Sequence, residues 1–172
     1  HNVIVFNAYE YYPLKPDDKN SCIQQLRSRL LDKVDIAPQN IFSPDSTINQ
    51  NFVLNYCRQY EERINSCGGI DLMLLGIGRM GNIATNEPGS SVTSTSRLIL
   101  LDPVAREEMS MSFASQDLVP PCCITMGIAT ILKARKIFLT AWGEGKADII
   151  QKTVEERISD SIPASFLQTH ND

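Results

Sequence analysis

Residues 72–90 read LMLLGIGRMGNIATNEPGS, in which an apolar run passes directly into a turn rich in glycine. Short apolar runs that end at glycine are typical of buried strands, so residues 70–75 are predicted to form one. Gly76, Gly78 and Gly81 give the following chain the freedom to make a tight turn. In a parallel sheet such a turn lies at the carboxyl end of its strand, where ligands bind. We therefore expect a ligand site within this loop.

Strands and helices are predicted to alternate on both sides of this stretch. Apolar runs predict further strands at residues 2–6, 96–101, 122–126 and 136–141. Apolar residues at helical spacing and the residues that begin or end helices predict helices from Ser21, at 49–66, at 103–109, at 127–134 and from Lys146. The proline-containing segments 7–18 and 37–47 are predicted to be loops. This order favours an α/β, Rossmann-like fold with a mostly parallel central sheet and helices on both faces.

The predicted elements belong to one domain. Residues 1–172 contain no internal repeat and no low-complexity tract, so we expect a single α/β domain. Strand-like residues follow His1 at once, and no element is evident just before Asp172. Both ends look cut, and we expect the domain to lack its first strand, loop and helix and its last element.

Composition argues against several classes of protein. The formal net charge of -4 does not suit a nucleic-acid-binding surface, which is normally basic. No apolar run approaches the roughly 20 residues that span a bilayer, and no secretory signal is present. Five scattered cysteines favour a reducing compartment, and the two histidines at the chain ends do not supply a zinc site. We expect a cytoplasmic protein without a metal, a cofactor, a nucleic-acid partner or a membrane partner.

Three predicted loops carry polar residues at the carboxyl ends of strands. They are Asn7–Tyr11, Gly76–Ser90 and Gly143–Lys146. Because the carboxyl ends of parallel strands meet at one edge of a sheet, these loops are predicted to line a single pocket. The pocket would be the ligand site of the protein.

Several motifs in a fixed order resemble those of a known family. They are FNAYEY at residues 6–11, VDI at 34–36 with PQNI at 38–41, YEE at 60–62, the glycine turn with NEP at 76–88, ITMGI at 124–128 and WGEGKA at 142–147. Together they resemble the glucosamine-6-phosphate deaminase/isomerase family over nearly the whole chain. The resemblance implies a protein that opens a hexosamine 6-phosphate ring, isomerises the aldose to a ketose and releases ammonia, giving fructose 6-phosphate.

The resemblance also assigns catalytic roles to four positions, and three of them carry a different residue type here. The carboxylate that moves a proton between adjacent carbons falls at Tyr9, and the ring-opening histidine falls at Asn82. The aspartate of the same loop falls at Met80, whereas Glu87 matches the glutamate that orients the histidine. A phenol with a pKa near ~10, an amide and a thioether are poor proton-transfer groups at neutral pH. We therefore predict a degenerate active site with impaired catalysis.

Substrate binding is implied for Gly76, Gly78 and Lys146. A lysine at the turn that opens a helix can hold a phosphate, helped by the helix N-terminus. Ser90 and Arg97 fall where some family members bind an allosteric sugar phosphate. Each residue also has a simpler interpretation, since Lys146 could be a solvated first-turn residue and Ser90 and Arg97 ordinary surface residues. In the same way Glu87 could cap a helix or bind backbone amides.

Three functions stay open at this point. The first is a deaminase/isomerase-like protein that acts on or binds a hexosamine 6-phosphate in amino-sugar metabolism, with impaired catalysis. The second is a non-catalytic sugar-phosphate sensor or assembly module. The third is a sugar-phosphate lactonase, because related lactonases share the fold, although that reaction also uses the histidine that Asn82 replaces. A homo-oligomer is the expected assembly, since homo-oligomers are common in the family.

Overall fold

The computed structural model describes residues 3–172, whose strands and helices alternate in an α/β fold, as predicted. The strands are β1 (Val5–Phe6), β2 (Tyr9–Tyr12), β3 (Ile41–Phe42), β4 (Leu72–Gly76), β5 (Arg97–Leu100), β6 (Cys122–Thr125) and β7 (Lys136–Thr140). The α-helices are α1 (Cys22–Arg29), α2 (Val53–Ser66), α3 (Pro103–Met109), α4 (Ile128–Leu132) and α5 (Ala147–Glu155). Short 3-10 helices occupy Leu31–Lys33, Pro38–Asn40, Gln50–Phe52, Gln116–Leu118, Glu144–Lys146 and Pro163–Thr169. The start of the predicted strand at residues 2–6 lies outside the described residues.

The strands form three small sheets. β1 pairs in parallel with β3, and β4 pairs in parallel with β7. The third sheet has the order β2-β6-β5, and its β2 runs antiparallel to β6. The parallel pairs agree with the predicted α/β class, whereas the antiparallel strand β2 was not predicted.

The described chain divides into two compact units. The first contains the residues up to Cys57 together with Leu98–Thr125, and the second contains Arg58–Arg97 together with Met126–Asp172. The first unit is built around β2 and β6, which send alternate side chains into two apolar clusters. Tyr11 and Cys123 belong to one cluster, and Tyr12 and Ile124 belong to the other.

The prediction that residues 7–18 form a loop was wrong for the four residues of β2. Tyr9–Tyr12 form a strand because aromatic side chains suit a sheet that is buried on both faces. Pro13, which lacks a backbone N–H, follows the strand and cannot continue its ladder. The predicted loop at 37–47 likewise contains β3, whose Phe42 ring stacks on Phe6 with ring centroids 5.1 Å apart.

The second unit contains the strand that precedes the glycine turn. In β4, Met73 and Leu75 are buried, whereas Leu74 is 65% exposed. Its partner in β7, Phe138, is 52% exposed. β4 therefore has one buried face and one open face, and the prediction of a fully buried strand was wrong.

The predicted helices and later strands are confirmed to within a few residues. α3 has the predicted bounds, and α2 is preceded by a 3-10 turn whose N-terminal residue, Asn49, accepts a hydrogen bond from Asn51 N through its side chain. α2 ends at Ser66. Gly68 and Gly69, which follow it, have positive φ angles, and Gly69 N donates to Ile64 O at 3.0 Å. Within residues 3–172, no helix is both long and apolar enough to cross a membrane.

Candidate active-site loop and its surroundings

The loop that follows β4 is held in a tight turn by its own backbone. Gly78 N donates to Asn82 O at 2.9 Å, and Gly81 N donates to Gly78 O at 3.0 Å. Gly81 has a φ of 75°, and a Cβ atom there would lie 2.6 Å from Cγ2 of Ile162. The glycine-rich turn predicted from the sequence is present, and at Gly81 only glycine fits without strain.

Asn82 and Met80 lie on this turn in very different surroundings. The Asn82 side chain is buried and lies against the backbone of Gly78, where a Cβ atom would come within 1.9 Å of Asn82 Oδ1. Met80 is 49% exposed. An amide and a thioether carry no proton that titrates near neutral pH, so neither position supplies an acid or a base.

Asn86 is the residue that fixes the second half of the loop. It is fully buried, and its Nδ2 donates to Ile83 O at 3.0 Å and to Met126 O at 2.8 Å. Its Oδ1 accepts a hydrogen bond of 2.8 Å from Nη1 of Arg97. We call this arrangement the Asn86 clamp. Asn86 was not predicted as a site residue, although its place in the NEP motif was a signal.

The structure brings Ser90 and Arg97 together. Arg97 Nη2 donates to Ser90 Oγ at 3.1 Å, while Nη1 is shared between Asn86 Oδ1 and Thr95 O. Burial lowers the pKa of the Arg97 guanidinium. The donors of Arg97 therefore support the loop, and the allosteric role of Ser90 and Arg97 stays a prediction.

Glu61, from the YEE motif, also has a structural role. Its Oε1 accepts hydrogen bonds from Ser96 N at 2.8 Å, from Ser96 Oγ at 2.5 Å and from Thr130 Oγ1 at 2.6 Å. This single carboxylate oxygen therefore joins α2 to the start of β5 and to α4 within the second unit.

Glu87 and Lys146 also belong to the second unit. Glu87 is half-buried, and its backbone oxygen accepts from Ser90 N at 3.0 Å. Lys146 is half-buried at the N-terminal end of α5, and its backbone N donates to Gly143 O at 3.1 Å. The turn into a helix predicted at Lys146 is present. Trp142, of the WGEGKA motif, is 79% exposed because it lies in the open turn after β7.

Tyr9 belongs to the first unit, on β2 opposite Thr125 of β6. Its side chain lines a cavity of about 420 Å³ together with Tyr11 and Cys22. The neighbouring Cys22 thiol, and burial, raise the pKa of the Tyr9 phenol well above its usual value. Tyr9 is therefore protonated at neutral pH and cannot act there as a general base.

Glu10 is the other carboxyl group of the FNAYEY motif, and it is fully engaged in the first unit. Its Oε1 accepts hydrogen bonds from Tyr11 N and Cys22 N, both at 2.9 Å. Its Oε2 accepts from Ser21 Oγ at 2.8 Å and from Ile23 N at 3.0 Å. The carboxylate is buried at the N-terminus of α1, where the helix dipole favours a negative charge.

The first unit should lose stability in alkaline solution. Burial and neighbouring groups raise the pKa values of Tyr9, Tyr11 and Cys22. Above about pH 9 the unfolded chain therefore releases protons that the folded chain retains. We expect the free energy of unfolding to be level below that pH and then to fall by at least about 1.4 kcal/mol per pH unit. Urea titrations from pH 7 to 11 measure this slope.

Variants of two cysteines test the origin of the alkaline slope. Cys22→Ala should make the slope shallower, because it removes one of the groups that stay protonated in the folded state. Cys67→Ala is the matched control, since Cys67 is exposed. Equal slopes for the two variants would contradict the assignment.

The sequence of this chain is similar to a known protein family and to individual proteins. A family model described as glucosamine-6-phosphate isomerases/6-phosphogluconolactonase matches residues 2–172. A glucosamine-6-phosphate deaminase-like protein of Bacteroides thetaiotaomicron is 59% identical over 170 residues, which are 99% of this chain and 26% of that protein. The glucosamine-6-phosphate deaminase of Geobacillus is 43% identical over 169 residues, which are 98% of this chain and 66% of that protein.

Two solved structures are similar to this fold. A monomeric glucosamine-6-phosphate deaminase of the NagB superfamily is 37% identical with a TM-score of 0.96, over 99% of this chain and 70% of that one. The 6-phosphogluconolactonase of Trypanosoma brucei is 20% identical with a TM-score of 0.71, over 96% of this chain and 67% of that one. The second likeness shows the fold alone.

Proposed function

The chain belongs to the glucosamine-6-phosphate isomerase/6-phosphogluconolactonase family, and from this premise we propose that it binds a hexosamine 6-phosphate with impaired catalysis. The observation that carries the proposal is the loop after β4. Its turn and its Asn86 clamp are formed, and the two positions on it to which the resemblance assigns acid/base groups hold Asn82 and Met80. An ordered loop without those groups supports binding with little catalysis.

Several groups in the second unit support binding of a sugar phosphate. Lys146 offers an ammonium group at the N-terminal end of α5, and the two together suit a phosphate. Glu87 offers carboxylate oxygens that can accept hydrogen bonds from sugar hydroxyls. Gly76 lets a ligand approach the backbone of the turn closely, whereas the space beside Gly78 is filled by the Asn82 side chain.

The replaced positions are the reason to expect slow turnover. One positioned acid or base contributes roughly 10²–10⁴ to the rate of an enzyme. Tyr9 holds its proton, and Asn82 and Met80 have none to exchange near neutral pH. Glu10 does not replace the missing base, because its carboxylate is buried and bound at the start of α1.

The chain spans about a quarter of the Bacteroides relative and about two thirds of the Geobacillus deaminase. We propose assembly into a homo-oligomer and a cytoplasmic location as well.

Calorimetric titration with glucosamine 6-phosphate, with ammonia assayed in the same sample, tests the proposal. We expect saturable binding and little or no ammonia. Lys146→Met should weaken binding by about tenfold or more, because it removes a charged partner of the phosphate. Lys152→Met is the matched control, since Lys152 lies on the same helix and pairs with Asp148 at 2.8 Å.

Three other outcomes would each contradict a different part of the proposal. Ammonia release at the rate of an ordinary deaminase would refute impaired catalysis. Undetectable binding of several sugar phosphates would refute the binding site and favour an assembly module. Equal affinities of the Lys146 and Lys152 variants would remove Lys146 from the site.

A further inference from the structure

The cavity beside Tyr9 lies between a face of α1 and a face of β2, which meet where Cys22 contacts Tyr9. Cys22, Gln25, Leu26 and Arg29 of α1 line one side. Their spacing of three, four and seven residues places them on one stripe of the helix, the stripe that normally packs into a core. No residue of α1 is buried, however, because the stripe faces an open volume of about 420 Å³. We call this cavity the α1 groove.

The opposite walls of the α1 groove are largely apolar. Tyr9 and Tyr11 alternate along β2 and so project from the same face of the strand. Their rings meet edge to face, with centroids 6.2 Å apart. Asn7, Met109 at the end of α3, and Ser112 complete the lining. Cavities of about 300–1,000 Å³ with mostly apolar walls and few polar groups are the usual form of small-molecule sites.

The side chains that line the α1 groove carry a positive charge and no negative charge. Arg29 is the single charged residue among its lining residues, none of which is an acid. Arg29 is exposed at the end of α1, and among residues 3–172 no ion pair of its guanidinium is found. Glu10, the nearest acid along β2, is buried and accepts hydrogen bonds from Ser21, Cys22 and Ile23. An anion can therefore reach Arg29 without meeting a carboxylate of the groove.

We propose that the α1 groove binds a small organic anion, whose apolar body packs against the tyrosines and Met109 and whose phosphate, sulfonate or carboxylate pairs with Arg29. A planar body suits the two tyrosine rings. The guanidinium can hold an oxyanion through two parallel hydrogen bonds. The groove belongs to the first unit, whereas the groups proposed above to bind the sugar phosphate belong to the second.

The probe is 1-naphthyl phosphate, with 1-naphthol as its uncharged counterpart, both measured by calorimetry. We expect 1-naphthyl phosphate to bind saturably and 1-naphthol to bind at least about tenfold more weakly. Arg29→Gln should weaken the binding of 1-naphthyl phosphate by a similar factor. Arg27→Gln is the matched control, because Arg27 lies in the same last turn of α1 but does not line the groove.

Methyl NMR of methionine-labelled protein locates the bound probe. The Met109 methyl signal should shift on titration, whereas that of Met80, on the loop after β4, should not. Lys146→Met should leave the affinity for 1-naphthyl phosphate unchanged, so this test and the glucosamine 6-phosphate test can fail separately. The proposal is overturned by absence of binding, by equal affinities of the Arg29 and Arg27 variants, or by an unmoved Met109 signal.

Discussion

Replacement of Glu10 by alanine should lower the free energy of unfolding by about 3 kcal/mol or more. The buried carboxylate accepts hydrogen bonds from Tyr11 N, Cys22 N, Ile23 N and Ser21 Oγ. Alanine leaves these donors without their acceptor and removes the negative charge at the start of α1. Urea unfolding at pH 7, followed by circular dichroism, measures the loss.

Two further variants separate the buried carboxylate from acidic residues in general. Glu62→Ala, on the exposed face of α2, should change the free energy of unfolding by no more than about 0.5 kcal/mol. Ser21→Ala removes one of the donors and should cost about 1 kcal/mol. A loss below about 1 kcal/mol for Glu10→Ala would show that water satisfies the donors in place of the carboxylate. That result would contradict the stabilising role assigned to Glu10.

Gly127→Ala is expected to be comparably damaging, with a loss of about 3 kcal/mol or more or a failure to fold. A Cβ atom at Gly127 would lie 2.1 Å from Ser94 O and 2.5 Å from Thr95 O. Both are backbone atoms, and the same Ser94 O accepts a hydrogen bond from Ala129 N at 2.9 Å. Relief of the clash would therefore pull the chain away from the N-terminus of α4. Thermal and urea unfolding measure the effect.

Gly145→Ala is the control for Gly127→Ala. Among residues 3–172, apart from Gly145 and its two chain neighbours, no atom lies within 4 Å of a Cβ atom built at Gly145, so alanine should be tolerated there. A small gain in stability is also compatible, because alanine restricts the unfolded chain. If the two variants were equally stable, the close approach of residues 94–95 to Gly127 would be wrong.

Most of the strands and helices in the second half of the chain could be predicted from features of their own sequence. α3 begins with Asp102 and Pro103, a capping residue and a proline that together mark a helix start, and its predicted bounds were correct. β6 and β7 are short apolar runs, and the predicted bounds of both strands were correct to within one residue. Such elements could be predicted because their determinants lie within the element or beside it.

The elements that were missed depend on partners distant in sequence. β2 becomes a strand through pairing with β6, more than a hundred residues later, and prolines near it concealed that pairing. The alternation of side chains in a strand puts Glu10 on the face of β2 opposite to that of Tyr9, but it does not show that the carboxylate reaches the start of α1.

The candidate site shows the same division between local and distant determinants. The glycine turn, Glu87 and Lys146 could be located by motif. The Asn86 clamp could not, because it needs the backbone of Met126 and the guanidinium of Arg97. The spacing of residues along the sequence does not reveal side-chain partners that come from other parts of the chain.

The Asn86 clamp has an evolutionary consequence. It holds the loop through groups that take no part in proton transfer, and Met80, which is half exposed, bears little of the packing. A replacement at Met80 should therefore carry little penalty to folding. The residue at this position can change by mutational drift while the shape of the loop persists.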